Sequence, residues 1–139
     1  MLTQAMIDVI ERTDLFPVAT ASADGVPNVV PVRFVGVLDR SRLWIADNYF
    51  NKTAANLGEN PQAALYLYSA EPGLSVQIKG TTTRVTQGPE YQAMRDRVLA
   101  ANPNLPARAL VIMSITGIFE CLPGPSAGLP VGPEPSAPS

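Results

Sequence analysis

Histidine is absent from the 139 residues, and cysteine occurs once, as Cys121. The first absence removes imidazole as general base, proton shuttle or metal ligand, and a lone thiol builds neither an internal disulfide nor a multi-cysteine metal site. No metal is expected, and any chemistry is expected from an organic cofactor. Aromatic residues are scarce at 6%, with Trp44 the one tryptophan. Charge is scarce too: ten basic and twelve acidic residues leave a formal net charge of −2. That offers no positive field to hold a polyanionic duplex, so nucleic acid is not an expected partner. Long hydrophobic runs are missing as well. Nothing approaches the ~20 apolar residues of a membrane span, and Met1 to Asp14 mixes acidic residues with alternating polarity. The expectation is a soluble, cytoplasmic protein with no membrane partner.

What is present is enough apolar material, 46% of the chain, for one domain around one core. Thr3 reads as an N-cap, and Ala5, Met6, Val9 and Ile10 recur at helical spacing through Arg12. Strands are expected over Phe16 to Ser22, Pro27 to Leu38 and Arg42 to Ala46, with turns at Ala23-Asp24-Gly25 and Asp39-Arg40-Ser41. Pro27 and Pro31 each remove a ladder donor, which points to an edge or a bulge. Lys52 to Leu57 has helical character and stops at Gly58. Two further strands follow, Ala63 to Ser69 and Leu74 to Thr86, the second alternating through Leu74, Val76 and Ile78. Pro89 suits the first position of a helix with Tyr91, Met94, Val98 and Leu99 on one face, ended by Asn102-Pro103. Leu110 to Leu122 is the last apolar strand. Short, evenly spaced strands joined by hairpin-type turns favour a mainly β fold: a six- or seven-stranded antiparallel barrel with peripheral helices.

Residues 1–122 form the expected domain. From Pro123 to Ser139 the composition turns to Pro, Gly, Ser and Ala, with only Leu129 and Val131 as sizeable anchors, too little to offset the entropy of ordering. This tail is expected to influence access to the site rather than fold stability.

The segment most suggestive of chemistry runs from Trp44 through Asp47 to Asn51-Lys52-Thr53. A lysine and a hydroxyl at the first turn of a helix combine an ammonium, a hydroxyl donor and free backbone N–H groups, the set a phosphate monoester needs. A threonine cap beside a solvated lysine would give the same dipeptide, and spacing alone does not choose between them.

The stretches "PVATASADGVPNVVPVRF", "RLWIADNYFNKTAANLGENPQAALYLY", "VQIKGTTTRV" and "GPEYQAM" with "ARALVIMSITGIFE" resemble, in kind and order, the FMN-binding split barrels related to the pyridoxamine 5′-phosphate oxidases, particularly the small stand-alone bacterial FMN-binding proteins. The resemblance covers nearly everything except the tail. It implies a homodimer with the flavin at the subunit interface, the FMN phosphate at Lys52 and Thr53 beside Asn51, and the strand end Ala46-Asp47 at ribityl and phosphate. It implies also that the backbone of Val30, Pro31, Val32 and Arg33 faces the flavin ring. Arg33 stands where relatives often carry an aromatic residue; it would contact the phosphate or the N1–C2 edge of the ring, or else pair with Asp47 or Asp39 at the surface. Gln77 would reach the flavin held by the other protomer, or simply face outward, as the alternation of Val76 and Ile78 also allows. Tyr49 and Phe50 are candidates for an exposed aromatic wall. Trp44 is expected in packing, and an open barrel face carrying Trp44, Val111 or Met113 would need a second copy to cover it. Cys121 is expected to be buried. The arginine-rich and aromatic C-terminal elements of true pyridoxamine phosphate oxidases are missing, which argues against that substrate. No catalytic residue stands out. Three functions remain open: an FMN-dependent oxidoreductase acting on a small substrate or reduced pyridine nucleotide, an FMN electron carrier for a partner protein, and a split barrel holding a deazaflavin or haem.

Overall fold

A computed structural model describes residues 1–131. Helix α1 (Gln4–Arg12) starts where Thr3 Oγ1 accepts a hydrogen bond from Met6 N at 3.2 Å, and it buries Met6, Val9 and Ile10. Seven strands follow with two further helices: β1 (Phe16–Ala21), β2 (Pro27–Val32), β3 (Val35–Asp39), β4 (Arg42–Asp47), α2 (Lys52–Glu59), β5 (Gln62–Ser69), β6 (Leu74–Val85), α3 (Pro89–Ala101) and β7 (Ala109–Glu120). No helix among the described residues is long and apolar enough to cross a membrane.

All seven strands belong to one antiparallel sheet in the order β2-β1-β5-β6-β7-β4-β3. Its two edges, β2 and β3, are neighbours in sequence, so the sheet has to curl until they meet. This corrects the expectation of one continuous strand from Pro27 to Leu38. β2 ends with Val32 opposite Phe16, β3 begins with Val35 opposite Ile45, and Arg33-Phe34 carries the chain from one edge to the other. In sequence Val30, Val32 and Phe34 keep a two-residue spacing across the crossing, whereas in the fold Val32 and Val35, three apart, both enter the core. Edge placement explains the prolines: Pro27 and Pro31 lie on β2, which has a neighbour on one side only. Where β6 shifts register against β7, Gly80 comes so close that an added Cβ would lie 2.5 Å from Ser114 O. Only glycine permits that approach.

Alternation divides the sheet into two faces. Phe16, Val18, Leu43, Ile45, Leu65, Leu67, Ile78 and Met113 point inward, and Leu2 with the apolar side of α1 joins the same core. The outer face of β4 and β7 carries Trp44, Ala46 and Leu110, which α3 covers with Met94 and Val98. Trp44, Val111 and Met113 are thus buried and form no open face, a second correction. The apolar surface left uncovered lies on the outer side of β2, β1, β5 and β6. Val29 is 66% exposed there and Tyr68 57%. Pairing aligns Pro17 with Pro31, and Tyr66 with Gln77 and Phe119.

β7 ends at Glu120, two residues short of the expected Leu122, and Cys121 already lies in the following turn, exposed rather than buried. Because β4 pairs with β7 only through Ser114, the β4-side edge beyond it is open to another segment. The chain turns back to use it: Gly128 N donates to Glu120 O at 2.8 Å, Glu120 N to Leu129 O at 3.0 Å and Val131 N to Ile118 O at 2.8 Å. Val131 packs against the main core. The remainder of the tail, 132–139, lies outside the described residues.

Candidate functional site

The seam where the two sheet edges approach opens into a cavity of about 780 Å³, a size usual for a small-molecule or cofactor site. Five parts of the chain wall it: β2, the Arg33-Phe34 crossing, the end of β4 with the loop after it, the start of α2, and the end of α3 with the following loop.

Eight of the ten residues singled out from sequence line this cavity: Val30, Pro31, Val32, Arg33, Ala46, Asn51, Lys52 and Thr53. Tyr49 and Phe50 line it as well, and the Arg108 guanidinium lies 5.8 Å from the centre of the Tyr49 ring. Asp47 is not part of the lining. Its side chain is turned inward at 1% exposure, where Oδ1 accepts from Phe50 N at 3.0 Å and Oδ2 faces Arg84 Nη2 at 3.4 Å. Asp47 therefore shapes the loop that presents Lys52, and it keeps its negative charge away from the cavity. Gln77 is also elsewhere, on the outer face of β6 between Tyr66 and Phe119.

Six lining residues escaped the sequence reading: Asn28, Phe34, Asn48, Ala101, Asn102 and Leu105. Asn28 had a usable signal, a polar side chain two positions before the apolar Val30 on the same strand face. The α3 residues had none, because only the folded chain brings the end of that helix to the seam.

The entrance of α2 is built to leave donors free. Asn51 makes no side-chain capping bond, and no acidic residue occupies the first turn, so the first N–H groups of the helix have no side-chain cap, and Asn51, Lys52 and Thr53 all line the cavity. Thr53, 1% exposed, accepts a hydrogen bond on Oγ1 from Asn28 Nδ2 at 3.1 Å, so its own proton is directed elsewhere. The same Asn28 amide lies 3.3 Å from Thr20 Oγ1, which also accepts from Asn56 Nδ2 at 3.1 Å, tying α2 to β1 and β2.

Among the described residues two cations, Arg33 and Lys52, line the cavity, and no carboxylate does. The surface pairings considered for Arg33 are taken by other residues. Asp39 binds Arg42 at 2.8 Å, which with the Ser41 amide and hydroxyl holds its carboxyl at about 2, and Asp47 faces Arg84. Among the described residues Arg33 makes no ion pair. A cavity with two unneutralised cations and an open helix N-terminus is suited to an anionic ligand.

Residues 2–121 match the sequence profile of the family described as pyridoxamine 5′-phosphate oxidase. The chain belongs to that family. Among curated relatives of this family member, an uncharacterized protein of Methanocaldococcus jannaschii is 39% identical over 130 residues, covering 91% of this chain and 85% of the other. An FMN-binding protein of Nitratidesulfovibrio vulgaris is 28% identical over 102 residues, covering 68% and 83%. Among solved structures, HupZ of Group A Streptococcus superposes with a TM-score of 0.77 at 29% identity, covering 92% of this chain and all of that one. At 18% identity and a TM-score of 0.61, the haem storage protein HutZ of Vibrio cholerae, covering 86% and 95%, shows the fold alone. The architecture is the split barrel of these proteins, a seven-stranded antiparallel sheet with three helices.

Proposed function

We propose that this cavity holds FMN and that the protein is a flavin-dependent oxidoreductase acting on a small substrate or on reduced pyridine nucleotide. The observation that carries the reading is the uncapped start of α2, where Asn51, Lys52 and Thr53 line a cavity whose described wall bears positive charge only. A phosphate dianion fits that set. Lys52 and Thr53 would hold the phosphate, Asn51 and Ala46 would border it and the ribityl chain, and the β2 backbone from Val30 to Val32 would lie against the ring. When bound, FMN supplies two-electron acceptance, a chemistry no side chain here offers.

The working unit is a homodimer in this reading. The uncovered face of β2, β1, β5 and β6 bears Val29, Tyr66, Tyr68 and Phe119, and Pro31 is shared between it and the cavity wall. A second copy seated there would border the cavity, and Gln77, in the middle of that face, would be the group that reaches across. The exposed, unpaired Cys121 suits the reducing cytoplasm.

The visible spectrum of the purified protein, followed by anaerobic mixing with reduced pyridine nucleotide, tests the reading. Flavin bands that bleach on mixing are expected. Bands that persist there yet bleach with a reduced partner protein would make the chain an electron carrier. A haem spectrum would overturn FMN, although a chain without histidine lacks the usual proximal ligand.

A further inference from the structure

The two cations of the cavity are far apart. Thr53, beside Lys52, is bonded to Asn28 near the start of β2, and Arg33 follows Asn28 by five residues. At about 3.3 Å per extended residue the separation along the strand is roughly 16 Å, more than an arginine side chain can bridge. A phosphate seated on the first turn of α2 therefore lies toward the Asn28 end of the strand, and the Arg33 backbone toward the other. Arg33 lies instead at the α3 end: its neighbour Phe34 and Leu105, from the loop after α3, pack against the same cluster around Trp44. Ala101 and Asn102 complete that wall.

The amides nearby are oriented. Asn102 Oδ1 accepts from Asn104 N at 3.0 Å, and Asn48 Oδ1 accepts from Ala107 N at 3.0 Å. With both carbonyl oxygens engaged, each side chain has its two N–H groups left to offer. Among the described residues this end of the cavity thus offers one unpaired guanidinium and neutral donors, and no carboxylate. Its charge matches a monoanion, where the α2 end matches a dianion. A guanidinium fork and an amide N–H group complement the planar oxygens of a carboxylate.

We propose that Arg33, with Asn102, forms a subsite for a carboxylate-bearing substrate, at the end of the cavity remote from the flavin phosphate. The assignment rests on the FMN reading, since it takes the α2 end to be occupied by the cofactor. Arg33 is then a specificity residue that aligns the substrate and discriminates against neutral analogues.

Calorimetric titration of the FMN-loaded protein with benzoate and with benzamide tests it, because calorimetry reads binding whether or not the flavin responds. Saturable benzoate binding is expected, with benzamide at least about tenfold weaker and benzoate weakened at least about tenfold in Arg33→Gln. FMN affinity and flavin midpoint potential should be unchanged in that variant. Asn102→Leu should weaken benzoate by a smaller factor, and Arg33→Lys should recover only part of the loss. Absence of saturable benzoate binding overturns the subsite, as does equal binding of benzamide. A lowered flavin potential in Arg33→Gln with benzoate binding intact also overturns it, and makes Arg33 a contact of the flavin ring. Failure of the protein to retain FMN is visible before any titration and counts against the cofactor reading alone.

Discussion

Thr53 is almost completely buried, yet its hydroxyl accepts from Asn28 and has its proton left to donate. Beside it, Lys52 is exposed and unpaired among the described residues. Replacing both by alanine is expected to weaken FMN by roughly tenfold or more, since each charge-assisted bond is worth roughly 1.5–3 kcal/mol. Riboflavin, which has no phosphate, should lose far less. Fluorescence titration with the two flavins checks this, and equal losses would mean that the α2 entrance had collapsed. A second residue-scale expectation concerns acid. Arg42 and Ser41 hold the Asp39 carboxyl at about 2, against an ordinary 3.8. A depressed folded-state pKa stabilises the fold above the unfolded value and ceases to do so as pH falls through the folded one. The contribution of Asp39 is therefore complete above 3.8 and disappears toward 2. Urea midpoints of Asp39→Asn should fall less steeply than those of the unaltered protein across that window, and parallel curves would refute the pairing.

The return segment after β7 is the element whose role differs most from its composition. Three backbone hydrogen bonds and the packing of Val131 connect it to Ile118 and Glu120, and none of its described residues, through Val131, lines the cavity. Removing 123–139 is therefore expected to lower stability by on the order of 1–3 kcal/mol and to leave flavin release unchanged. Removing 132–139 alone serves as the control, and Val131→Ser should reproduce part of the loss in urea denaturation. The expectation from composition ran the other way, because a Pro/Gly/Ser stretch shows no periodicity from which a docking strand edge could be inferred. Elements whose periodicity is local were legible: α1 from Met6, Val9 and Ile10, and β6 from Leu74, Val76 and Ile78. The helix start at Lys52–Thr53 was legible because its signal, from Asn51 to the stop at Gly58, is confined to a few adjacent residues. What stayed hidden depends on contacts between distant segments. The crossing at Arg33-Phe34 shows only as the three-residue step between the buried Val32 and Val35, and Asn102 joins Arg33 in one cavity wall only once α3 has packed on Trp44. Asp47 was placed in the correct strand end, but sequence does not show that its carboxylate turns to Phe50 N and away from the cavity lining.

For the molecule as a whole, the uncovered face carrying Val29, Tyr66, Tyr68 and Phe119 predicts association, because monomers rarely leave contiguous apolar surface of this kind exposed. Sedimentation should show a species of twice 14.8 kDa at micromolar concentration. Val29→Lys with Tyr68→Glu should shift it to the monomer without unfolding, both residues being exposed in the single chain. A pure monomer of the unaltered protein with FMN still bound would count against the shared site. The sheet order has a kinetic side. The hairpins β1–β2, β3–β4 and β5–β6 close locally, but Val18 must find Leu65 and Asp47 must find Ala109 before the barrel exists. Those long loop closures place folding toward the millisecond-to-second range of β-rich domains. The edge strands β2 and β3 are the sheet's frayed margins, each pairing on one side only, and their amide protons should exchange with solvent deuterium sooner than those of β6 and β7. A ligand lodged in the seam touches β2, the crossing and the end of β4 together, and opening either margin would release it. Loading with FMN should therefore slow deuterium uptake in Pro27–Val32 and Val35–Asp39 more than in the interior strands, so that the cofactor becomes the clasp of the barrel.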